Sequence, residues 1–231
     1  MIINPHRFAT TPSTAFDGFG NASRSFDGVD DYVEIADNSD IPTGAQTWSC
    51  WVKIDVLEVA IFCAHWNSST NQRSFQIYLD GSGKINVTVN HIGSGAGNKT
   101  VTSTSTVSTG TWYHITSVFS PSTHVKIFID GIEDVEVTSG IPASVLDSTA
   151  DIGIGAYADS SLHFDGNIAD VRIYDTDLSS SDIADLYAGT DVQTNLVGWW
   201  LTDTDDVLDY AGTNDGTNNG STYDNTDAPN L

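Results

Sequence analysis

The stretch Ser25-Phe26-Asp27-Gly28-Val29-Asp30-Asp31-Tyr32-Val33-Glu34-Ile35 decides how this chain folds. Gly28 among Asp27, Asp30 and Asp31 spells a turn. The alternation that follows sets Tyr32 and Glu34 on one face of a strand and Val33 and Ile35 on the other. Acids gathered at a strand end serve as turn formers, calcium ligands or both.

Downstream the same grammar repeats. Short apolar-rich runs bounded by Gly, Asp, Asn, Ser or Pro predict strands at Trp48–Ile54, Val59–Trp66, Phe75–Leu79, Ile85–His91, Val101–Val107, Trp112–Phe119, Val125–Asp130, Val135–Thr138, Ala150–Gly153 and Ala169–Tyr174. Phe75, Ile77 and Leu79 share a face, as do Ile85, Val87 and Val89, with Asp80–Lys84 joining the two runs as a hairpin. Asp130-Gly131 is a further hairpin signal. Such faces are buried only against a second sheet, so the fold is all-β: a two-sheet antiparallel β-sandwich. One short helix breaks the pattern at Leu178–Gly189, with a Ser cap, early acids and a Gly stop, placing Ile183, Leu186 and Tyr187 on a sandwich edge. The Thr-, Ser- and Gly-rich residues 1–22, punctuated by Pro5 and Pro12, form an extended arm; residues 23–231 form one domain.

With 31 acids against 8 bases and a formal net charge of -23, the chain offers no basic patch for nucleic acid and no affinity for anionic membranes. No window has the length of a membrane span, which excludes membrane insertion through a helix. No leader is visible at Met1–Phe8, so the expected location is the cytoplasm or a leaderless exit such as assembly into a virus particle. A hairpin of Trp48–Ile54 with Val59–His65 sets Cys50 opposite Cys63, either bridged or as a pair of buried thiols.

Phe26–Ile35, Trp48-Ser49-Cys50-Trp51-Val52-Lys53, Trp112-Tyr113-His114-Ile115, Ile127-Phe128-Ile129-Asp130-Gly131 and Asp165–Tyr174, followed by the Leu178–Tyr187 helix, resemble the laminin-G-like jelly roll of the concanavalin-A-like lectin/glucanase superfamily. The resemblance runs from about Ser25 to Gly189. It implies a display scaffold, commonly non-catalytic, that binds glycans or proteins and often carries a structural calcium. The strand at 196–201 looks like one that usually precedes the first motif, and is expected to close the domain beside the Tyr32 strand. The chain is also similar to stand-alone virion proteins of marine phages.

In that superfamily the first and last core strands lie side by side, which brings Asp27, Gly28 and Asp170 together as calcium ligands. The other reading makes Asp27 and Asp30 an Asx-type turn and pairs Asp170 with Arg172 or Arg24. For a glycan, the outward face of the Phe75–Val89 hairpin offers Gln76, Tyr78, Asn86, Thr88 and Asn90, against the alternative of an ordinary polar sheet face. Trp66 and Asn67, with the loops 66–71 and 157–163, are second candidates. Trp48, Trp51, Trp112, Trp199 and Trp200 are assigned to packing, and His114 to structure. Hydrolysis needs a flanking carboxylate pair, and Glu133 and Glu136 are spaced to opposite faces of a strand, so no enzyme activity is expected.

The expected function is therefore a non-catalytic bacteriophage virion surface protein, in capsid decoration or a tail fibre, displaying the domain for particle stabilisation or host-glycan adhesion. The alternative is a secreted or surface lectin. In the first case the arm docks on other virion proteins through Ile2, Ile3, Pro5 and Phe8, and the protein is a homo-oligomer in the particle.

Overall fold

The computed structural model describes residues 22–200 and 206–229. The arm, with Ile2, Ile3, Pro5 and Phe8, lies outside the described residues apart from Ala22. The strands are β1 (Ser23–Asp27), β2 (Tyr32–Ile35), β3 (Gln46–Ile54), β4 (Ala60–Asn67), β5 (Gln72–Leu79), β6 (Ile85–Asn90), β7 (Asn98–Thr102) and β8 (Trp112–Ser120). They continue as β9 (His124–Ile129), β10 (Ile132–Val137), β11 (Ile152–Ile154), β12 (Asp165–Tyr174), β13 (Leu196–Trp200), β14 (Thr217–Asn219) and β15 (Thr222–Asp224), with helix α1 (Ser180–Tyr187) after β12. All pairings are antiparallel. One sheet runs β10-β9-β8-β3-β12-β1-β15, with β13 also on β12; the other runs β14-β2-β11-β4-β5-β6-β7.

The alternation read in the sequence is what packs the core. Val33 and Ile35 of β2 are buried, as are Phe75, Ile77 and Leu79 of β5 and Ile85, Val87 and Val89 of β6. Trp48 from the first sheet stacks on Phe75 from the second with ring centroids 4.8 Å apart, the kind of contact a sandwich interior is built from. The Asp130-Gly131 turn forms as read: both residues have positive φ, 52° and 75°, the conformation a two-residue hairpin loop requires.

The structure corrects several of the sequence expectations. Strand β1 starts at Ser23 and ends inside the quoted run, at Asp27, a segment that looks like loop because Ser and Asp dominate it; Phe26 is nonetheless 2% exposed. Strands β3 and β4 do not form a hairpin. They lie in opposite sheets, where Cys50 is opposite Ile115 and Cys63 is opposite Ile77. The two cysteines are free and buried, and their thiols meet across the interior; the neighbouring Cys63 thiol and burial push the Cys50 thiol well up. The slot beside β2 is filled by β14, not by the strand at 196–201. That strand, β13, lies on β12 along Val171–Tyr174, while β1 occupies Asp165–Ile168 on the same strand. The segment read as Val101–Val107 is a strand only over Asn98–Thr102, where it pairs with β6.

Helix α1 is capped as its sequence dictates. The Ser179 hydroxyl accepts from the Asp182 amide at 3.2 Å and the Asp182 carboxylate accepts from the Ser179 amide at 3.0 Å. It lies on a sheet face rather than an edge: Ile183 and Leu186 pack with Val118, Phe128 and Tyr174, the outward residues of β8, β9 and β12. Tyr187 stacks on Trp51 with centroids 5.6 Å apart. Trp48, Trp51, Trp199 and Trp200 are buried as expected, whereas Trp112 is half-buried and donates from Nε1 to Asp227 Oδ1 at 2.9 Å. Beside Trp51, His114 is buried, and burial lowers its pKa to about 3, so the ring is neutral. With the outer face of the first sheet under α1, the outer face of the second sheet decides what the fold presents.

Candidate functional site

On that outer face, cross-strand rows run Ala64–Gln76–Thr88–Thr100 and Ile61–Tyr78–Asn86–Thr102. The row expected to face a ligand is largely spent on its neighbours. The Thr102 hydroxyl donates to Asn86 Oδ1 at 2.6 Å, Thr88 and Thr100 share a hydroxyl contact at 2.8 Å, and Asn90 Nδ2 donates to Ser94 O at 2.7 Å. Gln76, Asn86, Thr88 and Asn90 are all buried, and Tyr78 is half-buried. Polar residues read as a platform thus form ladders inside the protein, because each sits opposite a partner able to accept or donate.

The loop 155–163 explains the rest. Tyr157 folds back over the sheet, its hydroxyl donating to Gln76 Oε1, and it packs with Ile61, Ala64 and Trp66. Burial pushes the Tyr157 phenol up. Trp66 is 3% exposed in this cluster, which removes it as a stacking platform. Gly153 makes the arrangement fit: a Cβ there would lie 2.1 Å from Ala156 O and 2.7 Å from Ala158 N, so only glycine lets the loop backbone rest on β11.

Where the loop stops, a pocket opens. Its volume is about 420 Å³, and Glu34, Asn67, Thr70, Gln72, Asp151 and Asp159 supply its polar lining, with Thr149, Ala150 and Ala158 completing it. Each wall is held locally. Asn67 Oδ1 accepts from the Ser69 and Thr70 amides at 3.0 and 3.1 Å, an Asx turn that shapes the β4–β5 connection. Gln72 Oε1 accepts from the Thr149 amide at 2.9 Å, and Asp151 Oδ1 from the Asp37 amide at 2.9 Å. Of the expected ligand-binding residues, Asn67 is the one that lines this pocket. Glu34 comes from the quoted run itself, on the face shared with Tyr32; its signal was an outward Glu in a chain with four.

Glu34 and Asp151 touch. Burial, and then the hydrogen bond to Asp151, hold the Glu34 carboxyl above its usual range, because the protonated form can donate to its neighbour. A carboxyl raised by folding contributes stability while it is protonated and loses it as pH rises from the ordinary value through the raised one. Glu34→Gln, which cannot ionise, is therefore expected to match the parent melting temperature near pH 4. Near pH 8 it should exceed it by about 1–3 °C, a small shift because solvent screens this half-buried pair. Thermal melts across that pH range check this. Nearby, His65 Nε2 lies 3.3 Å from Asp37; burial lowers the His65 pKa although Asp37 opposes it.

A second concavity, of about 490 Å³, lies between residues 39–44 and Leu196, Val197, Ala211 and Gly212. Asp40 and Asp175 are its carboxylates, and convergent side-chain donors are few.

The expected metal site divides. Asp27, Asp30 and Asp31 each bring a carboxylate oxygen within 4.8 Å of the others. Asp170 is not with them. Asp27 is opposite Asp165, and Asp170 lies further along β12, about 16 Å away at strand rise. A register shift between Ala169 and Arg172, with Asp170 at φ 50°, turns its carboxylate under Arg172 and Trp199. It accepts from Arg172 Nε at 2.8 Å and from Trp199 Nε1 at 2.7 Å, while the guanidinium sits 4.3 Å over the Trp199 ring. Asp27 Oδ1 caps its own turn, accepting from the Val29 amide at 2.8 Å and the Asp30 amide at 3.3 Å. These bonds, the Val29 amide foremost, hold the Asp27 carboxyl below its ordinary value, whereas burial raises that of Asp31. Gly28 has φ 73°, and a Cβ there would lie 2.9 Å from Asp165 Cβ.

Glu133 and Glu136 also differ from expectation. A bulge between Glu133 and Val135 resets the alternation, so both carboxylates reach Lys126, at 2.9 and 3.5 Å.

Residues 27–184 match the family model Laminin_G_3, described as the concanavalin A-like lectin/glucanases superfamily. The chain belongs to this superfamily. No curated protein matches it. Among solved structures, it is similar to a Bacteroides ovatus protein designated a carbohydrate-binding candidate, at 16% identity and a TM-score of 0.71; the match covers 90% of this chain but 60% of that one. It is also similar to the heptameric SAP-like pentraxin of Limulus polyphemus, at 16% identity and a TM-score of 0.61, covering 90% and 96% of the two chains. Domain 4 of the arabinanase AbnA from Geobacillus stearothermophilus, solved with arabinotriose, matches at 20% identity and a TM-score of 0.57, covering 71% and 76%. At these identities the likeness concerns the lectin-like jelly-roll fold.

Proposed function

We propose that this superfamily member is a non-catalytic carbohydrate-binding module that takes its ligand in the outer-face pocket beside the 155–163 loop. The observation that carries the reading is the convergence of Glu34, Asn67, Gln72, Asp151 and Asp159 on one concavity. Carboxylates and amides on a rigid sheet accept from and donate to adjacent sugar hydroxyls. The arabinotriose complex of AbnA domain 4 is support by analogy of fold. Two further observations favour binding over hydrolysis. Glu133 and Glu136 are engaged by Lys126, and Glu34 touches Asp151, whereas glycosidase carboxylates stand about 5–9 Å apart across a bond. A glycan array followed by calorimetry tests the proposal. Asp151→Asn, which keeps an acceptor for the Asp37 amide, is expected to weaken the best ligand at least about tenfold without lowering the melting temperature. Unchanged affinity would place binding elsewhere.

The carrier we propose is a bacteriophage particle, with residues 1–22 as the docking arm and the module repeated as a homo-oligomer on a capsid or tail fibre. Mass spectrometry of purified virions tests it, and absence from the particle leaves the secreted or surface lectin as the reading.

Calcium is proposed at Asp27, Asp30 and Asp31. The donor set is all oxygen and net negative, which suits a hard cation, and such an ion would staple the β1–β2 turn without taking part in any reaction. Chelator is then expected to lower the melting temperature, and Asp30→Asn to abolish the difference.

A further inference from the structure

One end of the sandwich carries an apolar surface that the glycan pocket does not use. The loop between β3 and β4 exposes Val56 (43%), Leu57 (39%) and Val59 (47%), the β1–β2 turn exposes Val29 (71%), and the segment before β12 exposes Leu162 (42%). These loops are joined. The Asp55 amide donates to Asp165 O at 3.0 Å, the Gly28 amide to Phe164 O at 3.1 Å and the Ile61 amide to Leu162 O at 3.1 Å. Asp165 sits among them, its carboxyl raised by burial and by the charges of Asp55, Glu58 and Asp27. No Lys or Arg occurs in residues 27–31, 54–59 or 161–166.

Apolar side chains scattered singly over a surface need no explanation; five gathered on three linked loops do. The surrounding charge narrows the occupant. The bases beside this rim, Lys53 (already paired with Asp227) and His163, are outnumbered by Asp27, Asp30, Asp55, Glu58 and Asp165, so the end repels a second copy of this strongly acidic chain and favours a partner that brings cations. We propose that this end docks a protein whose contact patch sets Lys or Arg side chains around an apolar centre. Val56 and Leu57 supply the buried contact, and Asp55, Glu58 and Asp165 supply the pairing rim.

The probe is a fluorescein-labelled peptide with lysines flanking a Leu-Trp-Leu centre, titrated with the full chain in chelator so that the carboxylates are free of divalent cation. Binding is expected to be salt-sensitive and to weaken about tenfold in Val56→Ser/Leu57→Ser and again in Asp55→Asn/Glu58→Gln. All four positions are exposed, so the variants are expected to melt as the parent does. Asp40→Asn/Asp185→Asn, exposed acids on other surfaces, should leave affinity unchanged. The proposal is overturned if a peptide with Glu in place of Lys binds equally, if the Asp40/Asp185 pair weakens binding as much as the rim pair, or if the Val56/Leu57 variant binds like the parent. Loss of glycan binding at the sheet pocket would leave these results untouched, so the two readings fail separately.

Discussion

Asp170→Ala is expected to lower the free energy of unfolding by about 3 kcal/mol, because it removes the nearer of the two carboxylates, Asp170 and Asp191, that face the buried Arg172 guanidinium. Arg172 is buried with its Nε on Asp170, and Trp199 Nε1 shares the same carboxylate oxygen. Alanine leaves the guanidinium with less compensation in a layer that also holds His114 and is covered by α1. Urea melts measure the loss, and calcium concentration should not affect it. A calcium-dependent loss would return Asp170 to the cation site with Asp27, against the separation along β12. Asp170→Asn keeps the shape and an acceptor, and should fall between the parent and alanine.

Gly153→Ala is expected to cost about 2–4 kcal/mol and to weaken glycan binding by tenfold or more. The added methyl meets the backbone of residues 156–158 at 2.1–2.8 Å, and backbone cannot step aside as the end of a flexible side chain can. The loop must lift, taking Tyr157 from Gln76 and moving Ala158 and Asp159 off the pocket wall. Melting temperature and ligand affinity should fall together, and Tyr157→Phe should reproduce part of the loss without the steric clash. A variant that melts and binds like the parent would show that the loop does not build the pocket.

The two residues also mark where reading the chain succeeds and where it stops. Alternation in Tyr32–Ile35, Phe75–Leu79 and Ile85–Val89 put the right side chains in the core, and the Asp130-Gly131 turn and Ser179 cap form as written, since each depends on neighbours a few residues apart. The Asx turn at Asp27 was legible for the same reason. Bulges are not: nothing around Ala169-Asp170-Val171 or Glu133-Asp134-Val135 announces the shifted register that buries Asp170 and brings both glutamates to Lys126. Nor does the Gln76–Asn90 hairpin reveal that β7 and Tyr157 use up its polar groups.

By itself the amino-acid sequence determined that this is an antiparallel sandwich of the concanavalin A-like superfamily with a capped helix and an acid-rich first turn, because strand period, turn chemistry and capping are local. Tertiary structure alone decided which strands share a sheet, that β14 rather than β13 flanks β2, and that Glu34 meets Asp151 under a loop resting on Gly153. The β2–β14 and Glu34–Asp151 contacts join segments more than a hundred residues apart, where many registers satisfy the same alternation and packing of the whole sandwich selects one.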